Sequence, residues 1–87
     1  MSLVLMDFYA EWCGPCKMME PIIDELKVEH PEVKIKRIDI DKDTELAEQY
    51  GVSAIPCFVL EKDGEEMARE VGMMPLKKLG KMVEKNK

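Results

Sequence analysis

The chain has 87 residues, 46% of them apolar and 36% charged, with a net charge of −5. That length suits one hydrophobic core and is read as a single domain, 1–87, while the composition excludes a disordered chain. The acidic balance argues against nucleic acid as a partner, and no apolar run approaches the roughly 18–20 residues of a membrane span, so no membrane association is expected.

The stretch Leu3-Val4-Leu5-Met6-Asp7-Phe8-Tyr9-Ala10 is apolar at both parities except for Asp7, the pattern of a central strand covered on both faces. Over 15–29 the apolar residues Met19, Ile22, Ile23 and Leu26 recur at helical spacing. Pro21 inside this helix predicts a kink, and His30-Pro31 ends it. A second strand is predicted over 33–40, with lysines that suit a sheet edge. The intervening helix makes the two strands parallel through a right-handed crossover.

Asp41 or Asp43 can cap a short helix carrying Leu46, Ala47 and Tyr50, with Gly51 as its terminator. Cys57-Phe58-Val59-Leu60 reads as a third strand, and Asp63-Gly64 as a tight turn into a fourth over 65–71. Pro75 opens a last helix with Leu76, Leu79, Met82 and Val83 on its apolar side. The order βαβαββα defines an α/β class. The methionines read as core filler, with Met73 and Met74 as an exposed pair, and His30 as a surface residue.

Chemistry concentrates at Cys13-Gly14-Pro15-Cys16, between a buried strand and a helix N-terminus. Unpaired N–H groups and the positive end of the helix dipole stabilise a thiolate there, and the thiolate is the species that attacks disulfides. The spacing brings Cys16 close enough to resolve a mixed disulfide with Cys13. Gly14 permits close approach of a substrate backbone, and Pro15 stiffens the first turn. The competing reading is half a zinc site, which needs two further ligands. Only Cys57 and His30 are on offer, far apart and not at ligand spacing, so no metal is expected. Three cysteines do not pair into a closed scaffold, and the expected setting is the cytoplasm. Met1 leads almost directly into the first strand, without the basic and apolar regions of a secretory signal. Asp7 is an acid among Leu3, Leu5 and Tyr9 of its own parity; burial would raise its pKa and let it take the proton of Cys16. The alternative is a strand that exposes one side chain.

Trp12-Cys13-Gly14-Pro15-Cys16-Lys17 resembles the active-site motif of the thioredoxin family. The likeness extends through Asp7-Phe8-Tyr9-Ala10-Glu11, Pro21, Tyr50-Gly51-Val52, Ala54-Ile55-Pro56 and Gly72, essentially the whole chain. It implies a thioredoxin fold, a four-stranded mixed sheet in order 2-1-3-4 with three helices. It also implies a buried aspartate at Asp7 and a cis peptide before Pro56, which would let the Ile55 backbone pair with an extended substrate. Trp12, Gly14, Pro15, Ile55, Pro56, Gly72 and Met73 would then form a docking surface, although Trp12 in the core and a trans Pro56 are the plain alternatives. Lys17 supplies positive charge near the thiolate or is merely solvated.

The activity implied is reduction of protein disulfides. Cys13 would be the nucleophile, Cys16 the resolving thiol and Asp7 the proton acceptor. No cofactor is implied beyond the Cys13–Cys16 disulfide itself, and a separate thioredoxin reductase would recycle it. Two rivals are a glutaredoxin-like, glutathione-dependent enzyme, against which the Gly-Pro pair argues, and a non-catalytic binding module.

Members of the family carry a further strand and helix ahead of the stretch matching Leu3. Without them the second strand is expected to be an exposed edge and one sheet face to lack a covering helix. A monomer is expected over a homodimer formed through that edge or face. Arg37 stands where many thioredoxins place a lysine near the buried aspartate. It keeps the charge but does not release a proton, and its pairing would oppose a raised Asp7 pKa. Cys57 reads as a small buried hydrophobe, with a third redox thiol as the alternative.

Overall fold

Strand β1 (Leu3–Tyr9) runs through the middle of the sheet, paired on both sides, as its apolar run at both parities requires. The computed structural model describes residues 2–87. Among these, β1 is followed by α1 (Gly14–Glu29), β2 (Val33–Asp39), α2 (Thr44–Gln49), β3 (Cys57–Lys62), β4 (Glu65–Val71) and α3 (Leu76–Lys85). The sheet order is β2-β1-β3-β4, as expected. β1 is parallel to β2, with Leu3 opposite Val33 and Asp7 opposite Arg37, and antiparallel to β3, with Asp7 opposite Phe58. β3 and β4 are antiparallel, joined by a turn in which Asp63 and Gly64 both take positive φ, 52° and 85°. That pair of angles is what selected Asp-Gly there.

Side-chain alternation divides the strands between two layers. Leu3, Leu5, Phe58 and Leu60 face α1 and α3 and pack with Met19, Ile23, Leu26, Leu79, Met82 and Val83. Met6, Phe8, Ile38, Cys57 and Val59 face the other way, against Leu46, Tyr50, Val52 and Ile55. This second face was expected to want cover. Its centre is nevertheless closed, because the Tyr50 ring lies 5.6 Å from that of Phe8 and its hydroxyl is tied to Glu61 across the sheet. Phe8 and Val59 are consequently inaccessible, while Val71 at the β4 margin remains exposed. β2 forms one edge, and its Lys34 and Lys36 point into solvent.

Several local expectations are corrected. α1 begins at Gly14, one residue earlier than predicted, and continues through Pro21 as one element. β2 ends at Asp39, short of Ile40, and β3 runs on to Lys62. Asp43, not Asp41, caps α2, accepting the Leu46 N–H at 3.2 Å. His30 is buried rather than superficial: it sits at the α1 C-terminus against α3, its Nδ1 3.4 Å from Glu32 and 3.7 Å from Glu84. Gly80 of α3 lies beside the ring, where an added Cβ would make an ordinary contact with His30 Nε2 at 3.5 Å. Met74 belongs to the core between sheet and helices, so only Met73 of that pair is exposed. Met18 and Met67 are exposed as well and fill no core.

Candidate active site at the β1–α1 junction

β1 delivers the chain to a turn closed by the Cys13 N–H on the Ala10 carbonyl at 3.1 Å, and α1 starts one residue later. Cys13 is the N-cap of α1, with φ −90° and ψ 104°. Its Sγ accepts the Cys16 N–H at 3.2 Å, the position a capping oxygen usually fills. Pro15 lies in the first turn, where its missing donor costs nothing. Cys13 and Cys16 are disulfide-bonded, with Cα atoms 5.3 Å apart, and both are buried within a small cluster containing Ala10 and Ile55.

The flanking residues are unevenly placed. Trp12 is 69% exposed, and its indole N–H donates to Asp41 Oδ2 at 2.7 Å. Asp41 in turn is held by its backbone N–H on Asp39 Oδ1 at 2.9 Å. The loop after β2 therefore fixes the large exposed ring beside the dithiol, a role the sequence reading did not assign. The only signal was a second aspartate near the start of a helix that one cap suffices to start. Replacing Asp41 with alanine is expected to cost the ring one hydrogen bond, about 0.5–1.5 kcal/mol, and a fall in the anisotropy of Trp12 fluorescence checks this.

The Ile55–Pro56 peptide is cis. The Pro56 carbonyl accepts the Gly72 N–H at 2.8 Å, and Gly72 has φ +96°, a conformation L side chains rarely adopt. Gly14, Pro15 and Met73 are exposed, and Ile55 and Gly72 partly so. Pro56 corrects the expected docking surface: its ring is fully buried, packed at the start of β3, so it adds no accessible area.

Asp7 lies on the α1-facing side of β1 with Leu3 and Leu5 and is 4% exposed. Arg37 Nε stands 3.4 Å from its Oδ2, and the same guanidinium lies over the Tyr9 ring, 4.2 Å from the centroid. Burial pushes the Asp7 pKa from 3.8 to about 6, outweighing the cation and hydrogen bond of Arg37, which pull it down. The opposition between burial and charge pairing is thus decided for burial. Lys17 is exposed and lines, with Cys16, Tyr9, Glu11, Glu20 and Arg37, an open cleft of about 440 Å³.

Cys57 is a free thiol on the opposite face of the sheet, 1% exposed among Met6, Phe8, Ile38 and Val59. Burial pushes its pKa up, which suits a packing residue and not a nucleophile. Among the described residues, no group of three His, Cys, Asp or Glu side chains could hold a metal ion, and no helix is long and apolar enough to cross a membrane.

A helix-capping disulfide at the end of the central strand of a 2-1-3-4 sheet defines a thiol–disulfide oxidoreductase of the thioredoxin fold. The thioredoxin family model matches residues 1–85. The chain is 49% identical to the thioredoxin of Chlamydia trachomatis over 85 residues, covering 98% of this chain and 83% of that one. It is 45% identical to the thioredoxin of Bacillus subtilis over 86 residues, with the same coverage. The crystal structure of Fasciola hepatica thioredoxin superposes with a TM-score of 0.92 at 40% identity, over 99% of this chain and 82% of that one. The chain belongs to the thioredoxin family, whose members are protein-disulfide oxidoreductases that use no cofactor.

Proposed function

We propose that this protein reduces protein disulfides, with Cys13 as nucleophile, Cys16 as resolving thiol and Asp7 as proton acceptor. The observation that carries the reading is Cys13 at the N-cap of α1, its sulfur receiving a helix N–H and bonded to Cys16. In the reduced protein the same N–H groups and the helix dipole favour negative charge on the Cys13 sulfur. The thiolate attacks one sulfur of the substrate disulfide, that S–S bond breaks, and the departing thiolate takes a proton from water. Cys16 then gives its proton to Asp7 and attacks the Cys13 sulfur, closing the ring disulfide and releasing the second substrate thiolate. Two electrons leave the protein, the second thiolate also takes a proton from water, Asp7 returns its proton to solvent, and the substrate ends as two thiols.

Around this exchange, Ile55 offers backbone to an extended segment beside Pro56 and Gly72, while Trp12, Gly14, Pro15 and Met73 bound it with little obstruction. Lys17 and Arg37 supply positive charge near the sulfurs. The partners are then protein disulfides and a separate thioredoxin reductase, met by one domain acting as a monomer, since Lys34 and Lys36 discourage pairing at the β2 edge. Insulin reduction by dithiothreitol, followed as turbidity, tests the reading. The protein is expected to accelerate precipitation and Cys13→Ser to fall back to dithiothreitol alone; full activity in that variant would overturn it.

A further inference from the structure

Arg37 is shared. Its Nε faces Asp7 Oδ2 at 3.4 Å, and its Nη2 donates to Glu20 Oε2, also at 3.4 Å. Glu20 stands one helical turn after Cys16 on α1, and both line the cleft that Arg37 closes from β2. The Tyr9 ring beneath the guanidinium restricts it to this plane. Nothing in the exchange described above uses Glu20.

We propose that Glu20 is a positioning residue for the resolving step: by engaging the outer edge of Arg37, it keeps Asp7 from commanding the whole cation. The inference rests on the reading of Asp7 as proton acceptor. A buried carboxyl beside an unshared guanidinium gives up its proton too readily to serve as a base near neutrality. Dividing the arginine between two carboxylates weakens that pull while leaving the positive charge in place. The Glu20 charge itself adds repulsion at Asp7 in the same direction. Around Asp7, β1 contributes Tyr9 at the same parity, β2 contributes Arg37 and α1 contributes Glu20, while β3 opposes it with Phe58, which does not titrate.

The test is the titration of the Asp7 carboxyl in the oxidised protein, read by carbon NMR, together with the pH profile of insulin reduction. Glu20→Gln is expected to shift both midpoints downward by roughly 0.2–0.7 pH units, the scale of a half-exposed ion pair, and Glu20→Asp to restore part of the shift. In an Arg37→Gln background the effect of Glu20→Gln is expected to fall below half. Superimposable titrations of Glu20→Gln and the parent would overturn the proposal, as would an undiminished shift without Arg37, which would mean direct repulsion only. Asp7→Asn serves as the control. Activity of Asp7→Asn that matches the parent at every pH defeats the acceptor reading itself. A pH step in activity that vanishes there but ignores Glu20 defeats only the present inference.

Discussion

Asp7→Asn is expected to stabilise the oxidised protein by about 2–3 kcal/mol above about pH 7 while crippling its second chemical step. The sign follows from the carboxyl's pKa of about 6 in the fold against 3.8 ordinarily. Between those values the native state holds a proton that the unfolded chain has already lost. Raising the pH through this window therefore lowers the stability of the parent, and the loss is complete above about pH 6. Asparagine removes the cost of an ionised carboxylate in a site only 4% exposed and keeps its shape. Urea midpoints of the two proteins should converge in acid and separate towards neutrality. Parallel midpoints at every pH would show that Asp7 titrates as an ordinary carboxylate. In turnover the same variant removes the proposed proton acceptor for Cys16, with an expected deficit of order 10²–10⁴-fold for a lost general base. A gain in stability with a loss in rate, from one substitution, is the signature of a strained functional group.

The second large effect is expected at Cys16. Cys16→Ser leaves the Cys13 sulfur at the N-cap of α1, where the helix end still favours its thiolate. Attack on a protein disulfide then proceeds, but no thiol stands by to displace the substrate. The expected product is a covalent one-to-one adduct, seen by intact mass and reversed by excess dithiothreitol, with turnover reduced to background. Cys13→Ser with Cys16 intact should give no comparable adduct, because Cys16 lies inside the first turn of α1 and not at its N-cap. Adducts forming equally on either variant would mean that the two sulfurs are interchangeable.

How much of this was legible beforehand depends on the range over which each feature is determined. The order βαβαββα, the Asp63-Gly64 turn and the apolar side of α3 follow from neighbouring residues, and all are found. Burial of Asp7 could be suspected because one acid interrupts a run apolar at both parities, and the side chain is buried. The cis peptide at Pro56 came from resemblance alone. What stayed hidden was set by contacts between distant segments. Asp41 reaches Trp12 across 29 positions of sequence. His30 is buried because α3 packs beside its ring, and Met74 because its loop folds onto the core. Glu20 drew no reading from the sequence, because its partner Arg37 is brought beside it only by β2.

The disulfide spans only three positions of sequence, whereas β1 joins β2 and β3 across separations about ten times larger or more. A ring that small removes little freedom from the unfolded chain, because closure entropy grows with the length enclosed. The bond is thus nearly irrelevant to chain topology, and cohesion resides in the long-range strand pairing. Oxidation and reduction therefore act at one end of a scaffold whose long-range strand pairing does not run through the disulfide.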